Sequence, residues 1–452
     1  MKELFPKKGI LIAFGELFLK SERVRKIFQR RLVQSLFSLL KKKNFDFKIH
    51  SFRERIFVAL PVDSAFVAGS TSAKEAASSE SEKRRRETKE INEVSAIIKN
   101  LPGIVWFSEA LFFEKLNPVK SAQSGTPLSG VFDGVNPVKS AQSGTPLSGV
   151  FDGVNLKGFS DFLAKNYQKW IKKGETFALR LKREKEIKNS SEEIIKETAK
   201  RIERKVDLSK PQREIFIEAR RFGWFLYFKK RRGIGGLPLG TGGKVLSLIS
   251  GGIDSPVAVF LMAKRGAENI WLHFHSFPLV SRTSIEKVKE LARIFLNYTP
   301  HLKIYFLPFS KIQMEIKSIT FPKYRVLLYR RLMLKIAEKI AQKENCQALV
   351  TGESLGQVSS QTLPNIKIIE SGIKIPILRP LIGFDKEEII NLAKKIRTFS
   401  ISIKPQEDCC TLFIPKHASA EGNSKEIKKI EKKIDIKKEV EKIIKEAEIE
   451  RY

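Results

Sequence analysis

Hydrophobic residues recur in two periods along the chain, and the changes of period mark its parts. Gly9–Phe14 is mostly apolar and predicts a strand centred on Ile10–Phe14. From Ser21 to Lys43 the apolar residues Val24, Ile27, Phe28, Leu32, Leu36 and Leu40 fall at helical spacing within a basic run, which predicts an amphipathic helix. Arg55–Leu60 returns as a strand, so the first part reads as a small α+β unit. From about Val62 to Glu90, Ala, Ser and charged residues follow no period, which reads as a disordered or surface insertion. A helix begins at Ile91–Asn100 and is ended by Pro102-Gly103. A second α+β unit starts at Phe159, with a helix over Phe159–Lys173, a strand over Gly174–Leu181 and a helix over Ser190–Lys205. Two strands follow, Arg213–Ala219 and Gly223–Lys229.

Between these units, Asn117–Val135 reads NPVKSAQSGTPLSGVFDGV and Asn136–Val154 repeats it unchanged. A solenoid has divergent repeats and needs about three of them. Two identical copies rich in Gly, Pro and Ser read as a duplication tolerated in a surface loop, and no function is assigned to them.

Gly233–Lys244 (GIGGLPLGTGGK) is a Gly-rich connector and a natural domain boundary. Beyond it strand and helix alternate. Val245–Ile249 is a buried strand and Ser255–Arg265 a helix; Ile270–Phe274 is a strand, Thr283–Leu296 a helix and Lys303–Pro308 a strand. Val326–Glu344 is a long helix, Ala348–Thr351 a strand and Asp385–Ile396 a helix. This alternation predicts a doubly wound parallel sheet with helices on both faces. From about Ser419 the chain is rich in Lys, Glu and Ile and reads as a charged helical tail.

Charge changes this picture. Among 452 residues, 84 Lys plus Arg stand against 50 Asp plus Glu, a formal charge of +34. Such a field concentrates polyanions, so nucleic acid is the leading partner. A Lys-rich proteome that makes every surface basic would give the same number. No apolar run is long enough for a transmembrane helix, and the N-terminus lacks the plan of a signal peptide. The three cysteines, Cys346, Cys409 and Cys410, argue against a disulfide framework and for a reducing compartment, and leave no Cys-x-x-Cys metal knuckle.

One segment carries chemistry by itself. The apolar run KVLSLIS delivers the chain to Ser250-Gly251-Gly252-Ile253-Asp254-Ser255, and a helix with Pro256 in its first turn follows. Two glycines let backbone approach an anion, and the helix start supplies N–H groups and partial positive charge. An ordinary βα turn capped by Asp254 or Ser255 is the alternative. The spacing is not that of a Walker loop; it resembles an ATP-pyrophosphatase (PP) loop, whose enzymes cleave ATP to AMP and pyrophosphate by adenylating a substrate.

Further stretches agree with one family: residues 235–266, TGESLGQVSSQTL (351–363), LRPLIGFDKEEII (378–390), EDCCTLFIPKH (407–417) and, more loosely, IAFGELFLKSERVRKIFQRRL (12–32). Together they closely resemble the tRNA 4-thiouridine synthetases, also called ThiI-type tRNA sulfurtransferases. The resemblance implies an α/β and α+β multidomain fold: ferredoxin-like plus THUMP α+β domains followed by a doubly wound parallel-sheet ATP-pyrophosphatase domain. The expected boundaries are 1–61 (ferredoxin-like), 62–232 (THUMP, with insertions at about 62–90 and 117–154), 233–418 (PP-loop domain) and 419–452 (tail). It implies sulfur transfer to C4 of a tRNA uridine, position 8, using ATP with Mg²⁺.

The resemblance carries ATP contacts to Leu248, Ile249, Ser250, Gly251, Gly252, Ser255, His273, Phe274, Arg330, Gly352 and Gln361. Read without it, Leu248 and Ile249 are core strand residues, His273 is a structural histidine and Arg330 is a solvated helix charge beside Arg331. Asp254 is the catalytic loop carboxylate, orienting ATP through Mg²⁺ or assisting adenylation, with a helix cap as its alternative. The resemblance aligns Cys409 with the catalytic thiol, which delivers a persulfide sulfur or helps release one. Cys410 and Cys346 read as packing residues. On sequence alone Cys409-Cys410 equally suits two inert core thiols. Arg180, Lys182, Arg183 and Lys185, within TFALRLKREKE, resemble the basic strand of a THUMP domain and are the RNA candidates; Arg180 and Lys182 share a strand face. A solvated basic edge strand is the alternative.

The chain departs from the family pattern at Ile396-Arg397-Thr398, where a glycine usually caps a helix, at Gln406, and at Pro278–Thr283. No rhodanese segment is recognised, so a cysteine desulfurase is the expected sulfur donor. A cytoplasmic location, a homodimer and a link to thiamine thiazole synthesis are further implications. Another PP-loop ATP-pyrophosphatase and a catalytically decayed THUMP RNA-binding protein are the competing readings.

Overall fold

The computed structural model describes residues 6–15, 21–60, 73–114, 130–132, 154–405, 413 and 421–452. Cys409, Cys410, Gln406, residues 62–72 and most of the repeat lie outside the described residues. Contacts divide the chain into two units, the first built mainly from residues up to Gly235 and the second mainly from Gly236 on. Among the described residues no helix is long and apolar enough to cross a membrane.

In chain order the elements up to Gly235 are β1 (Lys7–Phe14), α1 (Glu22–Lys42), β2 (Lys48–Ser51), β3 (Ile56–Ala59), α2 (Ala73–Asn100), β4 (Ile104–Glu114), β5 (Gly130–Phe132), α3 (Leu156–Asn166), β6 (Phe177–Arg183), α4 (Ser191–Ala199), β7 (Arg213–Arg220), β8 (Gly223–Tyr227) and β9 (Arg231–Arg232). Eight of these strands form one sheet in the order β5-β2-β3-β1-β4-β8-β7-β6, with β9 added against β4. The boundary expected near 61 has no counterpart in strand pairing, because β1 is paired with β4 from Lys7 to Phe14.

Alternation along β4 sorts its side chains. Phe113 joins the core under α3 and α4 with Phe159, Leu163, Ile194, Ile217 and Trp224, whereas Phe112 joins a mainly aromatic cluster with Phe57, Phe225 and Tyr227. Beside that cluster Glu218 is almost fully buried. It accepts from Arg55 Nη2 at 2.9 Å, Arg220 Nη2 at 3.0 Å and Tyr227 Oη at 3.1 Å, so its charge is compensated on three sides.

Two expectations in this half need correction. Residues 73–90 are helical, since α2 starts at Ala73 rather than Ile91. Ala, Glu, Lys and Arg are strong helix formers, but without an apolar stripe they leave no periodic signal. The strand β4 has no counterpart among the elements that the pattern predicts.

The second unit contains β10 (Lys244–Leu248), α5 (Asp254–Lys264), β11 (Glu268–His275), α6 (Thr283–Phe295), β12 (Lys303–Pro308), α7 (Ser310–Ile319), α8 (Arg325–Lys343), β13 (Ala348–Val350), α9 (Leu363–Glu370), β14 (Ile377–Leu378), α10 (Lys386–Lys395), α11 (Phe399–Ser402), α12 (Ser424–Glu431), α13 (Ile436–Lys445) and β15 (Glu448–Arg451). Its sheet runs β14-β13-β10-β11-β12-β15. All pairs are parallel except β12 with β15. The chain leaves β10 toward β11 on one side and returns to β13 on the other. Strand order reverses there, and a crevice opens past the carboxyl end of β10.

The segment after Ser419 is helical as expected, in α12 and α13, but it packs into the core and ends in a strand. Ile427, Ile434, Val440 and Ile443 pack into the same core as Leu328, Leu332 and Ile336 of α8. The buried Glu431 accepts from Arg331 Nε at 2.9 Å. β15 then pairs antiparallel along β12, from Glu448 opposite Phe306 to Arg451 opposite Lys303.

At the end of α10, Arg397 N–H donates to Lys394 O at 3.1 Å and Thr398 N–H donates to Ala393 O at 3.0 Å. This is a Schellman closure, and Arg397 takes the left-handed position with φ of +64°. The glycine expected there on sequence grounds is thus required by geometry, yet an arginine fills the place. Relief of the Cβ clash outweighs the extra freedom of an unfolded glycine, so Arg397→Gly should stabilise this unit by about 1 kcal/mol. Thermal unfolding should show a midpoint higher by roughly 2–4 °C.

Candidate functional site

At the end of β10, Ile249 N–H donates to Leu272 O of β11 at 2.9 Å, and the chain then turns through residues 250–253 into α5. Ser250 and Ser255 staple the turn: Ser250 N–H donates to Ser255 Oγ at 2.9 Å, and Ser255 Oγ donates back to Ser250 O at 3.1 Å. A Cβ at Gly252 would meet only Ser250 Oγ, at 3.4 Å, so the space over this glycine is open. No side chain caps α5. Its first N–H groups are free to meet an anion. The reading of Asp254 or Ser255 as a helix cap is therefore corrected.

Asp254 is the first residue of α5, and its carboxylate looks elsewhere. Lys386 Nζ donates to Oδ1 at 2.6 Å and Gln357 Nε2 to Oδ2 at 2.9 Å. Lys386 opens α10, where Asp385 and Glu388 form a reciprocal capping box that fixes the helix start.

Gly352, just past β13, comes against the turn from the other side. A Cβ there would lie 2.8 Å from both Ser255 N and Ser255 Cα. These are backbone atoms that cannot swing away. His273 is buried, with Nδ1 3.0 Å from Ile249 O and Nε2 3.3 Å from Ser284 Oγ. A carbonyl only accepts, so Nδ1 carries the proton and Ser284 donates to Nε2. Burial lowers the His273 pKa to about 4, and burial likewise lowers that of His275 to about 4.

On the far wall Arg330 of α8 donates through Nη1 to Glu353 Oε1 at 2.8 Å. It is not a solvated helix charge. Its neighbour Arg331 points the other way, to Glu431. Gln361 is also buried, and its Oε1 accepts from Ser354 N–H at 3.4 Å.

These groups surround one cavity of about 510 Å³, a size usual for small-molecule sites. Leu248, Ile249, Ser250, Gly251, Gly252, Asp254, Ser255, His273, Phe274, Arg330, Gly352 and Gln361 all line it. Sequence reasoning missed Ser284, Glu353 and Gln357 on its wall, and Lys386 on Asp254. The last three stand in the TGESLGQ and DKEE stretches, so a signal existed for them without a role.

Of the three cysteines only Cys346 falls among the described residues, and it lies away from this cavity. Cys409 and Cys410 are outside the described residues. Phe413, farther along, is described: Arg325 Nη1 donates to its carbonyl at 3.2 Å and Lys317 Nζ lies 4.1 Å from its ring centroid. Arg325 immediately precedes Val326, which lines the cavity. Cys346 is buried in the core, and burial pushes its thiol up to about 11, as suits an inert packing residue. Among the described residues no cluster of His, Cys, Asp or Glu could hold a metal by itself.

The basic residues of β6 and of the turn after it divide. Arg180 Nε donates to Glu214 at 2.8 Å, and Arg183 Nη1 donates to Ile187 O at 2.6 Å. Lys182 and Lys185 are exposed.

A glycine turn at the end of a parallel strand, an uncapped helix after it and a crevice where strand order reverses define the class: a PP-loop nucleotide-binding α/β domain. Comparison with family models agrees. Residues 240–436 match the thiamine biosynthesis protein ThiI model, residues 9–69 the ThiI ferredoxin-like domain and residues 163–229 the THUMP domain. In chain order the three matches are ferredoxin-like, THUMP and ThiI, so the chain is similar to ThiI-type proteins in each of these segments.

It is 46% identical over 237 residues to a probable tRNA sulfurtransferase of Thermoanaerobacter sp. (strain X514), covering 52% of this chain and 62% of that one. A probable tRNA sulfurtransferase of Thermus thermophilus is 43% identical over 247 residues, covering 55% and 61%. The matches thus span about three fifths of these relatives' length. A 4-thiouridine synthetase solved in complex with RNA and with bound ATP superposes with a TM-score of 0.73 at 27% identity, covering 98% of this chain and 99% of that one. A Pyrococcus horikoshii protein shares the fold at 20% identity with a TM-score of 0.55.

Two outcomes follow from the geometry. Gly352→Ala should lower the unfolding midpoint and weaken nucleotide binding, because Ser255 backbone must move. Gly383→Ala is the matched control: nothing lies within 4 Å of a Cβ there, so stability should change by less than about 0.5 kcal/mol. His273 and His275 favour the neutral form in the fold, so their stabilisation is complete above about pH 6.5 and is lost as pH falls toward 4. A shift of that size is worth on the order of 3 kcal/mol per buried imidazole. Urea unfolding between pH 7 and 4 should show the loss, and His273→Gln should remove roughly half of it, leaving the part due to His275.

Proposed function

We propose that the protein is an ATP-dependent tRNA uridine 4-sulfurtransferase. The observation that carries this reading is the gathering of the sequence-named residues around one phosphate-accepting cavity, in a chain similar to ThiI-type proteins. ATP supplies the AMP group that turns the uridine C4 oxygen into a good leaving group, with release of pyrophosphate. The open backbone at Gly252 and the uncapped start of α5 receive phosphate, with Gly251 lining the same cavity. Arg330 and Lys386 add positive charge. Asp254 would orient ATP through Mg²⁺ or assist adenylation, exchanging its tie to Lys386 if the metal binds; in this structure its ties to Lys386 and Gln357 hold it at the mouth of the turn. Neutral His273 fixes Ile249 at the cavity floor and adds no charge.

Cys409 brings the sulfur. A persulfide there attacks C4 and AMP leaves with the former oxygen; an external thiol then attacks Cys409 Sγ, which releases 4-thiouridine and leaves a mixed disulfide that further thiol reductant reduces to free Cys409. A cysteine desulfurase is the donor, and a second copy of the chain, a cytoplasmic site and sulfur supply to thiamine thiazole synthesis belong to the same reading. tRNA is held by shape and backbone contacts, with Lys182 of β6 and Lys185 just beyond it as the available cations and Arg180 as a cation already shared with Glu214. Arg183 serves its own loop.

The assay is thiolation of tRNA with ATP, cysteine and a desulfurase, read as 4-thiouridine absorbance. The intact chain should form product. Cys409→Ser should reduce the rate by at least about two orders of magnitude, and Asp254→Ala by a similar factor. A fully active Cys409→Ser protein would instead favour another kind of PP-loop pyrophosphatase, and tRNA binding without thiolation a decayed enzyme.

A further inference from the structure

The cavity wall carries a polar cluster with no place in the chemistry above. Glu353 follows β13 and is only 7% exposed. Its Oε1 accepts from Arg330 Nη1 at 2.8 Å. Its Oε2 accepts from Arg379 Nε at 2.7 Å and from Thr351 Oγ1 at 3.0 Å. Arg379 also donates through Nη2 to Glu370 of α9 at 3.0 Å. Arg330 is therefore the cavity end of a chain of alternating charges that runs to a helix on the outside.

Three roles for Glu353 can be weighed on these contacts. As a metal ligand it would have to bind a cation beside two guanidinium groups, both within hydrogen-bond distance, and Coulomb repulsion opposes that. As a bare negative charge it would repel a polyphosphate. The third role is geometric. Charge-assisted bonds to guanidinium are directional, and Glu353 is itself held by Arg379 and Thr351. Its bond engages Nη1 of Arg330 and leaves the other N–H groups of that guanidinium available to an anion. A long arginine held in this way loses less rotamer freedom when its ligand arrives.

We infer that Glu353 is a positioning residue that pre-orients the Arg330 guanidinium for the phosphates of the bound nucleotide, with Arg379 and Thr351 fixing Glu353 in turn. The inference rests on the reading that the cavity holds ATP. It assigns Glu353 no contact with the reacting atoms.

The test is a double-mutant cycle on the full chain, with dissociation constants for MgATP and for adenosine measured by calorimetry on wild type, Glu353→Gln, Arg330→Ala and the double variant. Charge alone predicts tighter ATP binding by Glu353→Gln, because a negative group has left the site. Positioning predicts the opposite sign: ATP binds about tenfold or more weakly, while adenosine changes by less than about twofold. In the Arg330→Ala background the same substitution should change ATP affinity by less than about twofold. Unchanged or tighter ATP binding by Glu353→Gln overturns the inference, as does an equal loss in both backgrounds. If Glu353→Gln loses its cooperative melt, Arg379→Lys and Thr351→Val each disturb one group that holds Glu353. At least one should then weaken ATP by roughly threefold with adenosine unchanged, and no change in either overturns the inference. A wild-type chain that binds no ATP rejects the nucleotide reading itself, an outcome visible before any variant is compared.

Discussion

Gly352 and Ser255 bring two stretches of backbone together so closely that a single added carbon would overlap both. The turn after β10 is shaped from within by Ser250 and Ser255, but its position is set from outside by this approach. Everything else at the site is arranged relative to it. The loop that begins at Gly352 carries Glu353, Gln357 and Gln361 onto one wall, and α5 leads away on the other. Because the contact is backbone to backbone, no side-chain rearrangement relaxes it. The cavity is consequently built before any ligand arrives, as suits a site that must hold a polyphosphate in one pose.

The polar groups around the cavity follow a division of labour set by charge. Cationic side chains near the opening are shared with carboxylates, Lys386 with Asp254 and Arg330 with Glu353. Neither cation is buried alone, and neither carboxylate faces the cavity uncompensated. A histidine kept neutral by burial adds shape without charge. The first unit solves the same problem differently. Its buried Glu218 sits among Arg55, Arg220 and Tyr227 in a sheet that runs without a break from β5 to β6.

Much of the second unit was legible because its strands are buried on both faces and read as short apolar runs between helices. Lys303–Pro308 and the start of α6 at Thr283 came out as expected. The elements that escaped are of two kinds. Short pieces such as α9, β14 and α11 offer too few residues for a period to appear. Others are decided by partners remote in sequence: β15 is EIER, a charged segment whose strand character comes from lying along β12. At the site, the glycines and the helix start carried their own signal. Glu353, Arg379 and Lys386 lay within recognised stretches but without a role, since nothing about a lone charged residue tells which opposite charge will stand beside it after folding. The helix cap at Arg397 was legible in the opposite sense: the absence of an expected glycine pointed to a position with positive φ.

The strand β15 has a consequence for how the molecule is made. It covers the outer edge of β12, which would otherwise present unpaired N–H and C=O groups to any passing strand. It also lies about 140 residues beyond β12 in chain order, a separation that at ~5–20 residues per second takes several seconds or more of synthesis to cross. Until then the outer edge of β12 has no partner on that side. A nascent chain of this protein is thus most open to mispairing just before its sheet is closed, when a chaperone that shields strand edges would have the most to protect.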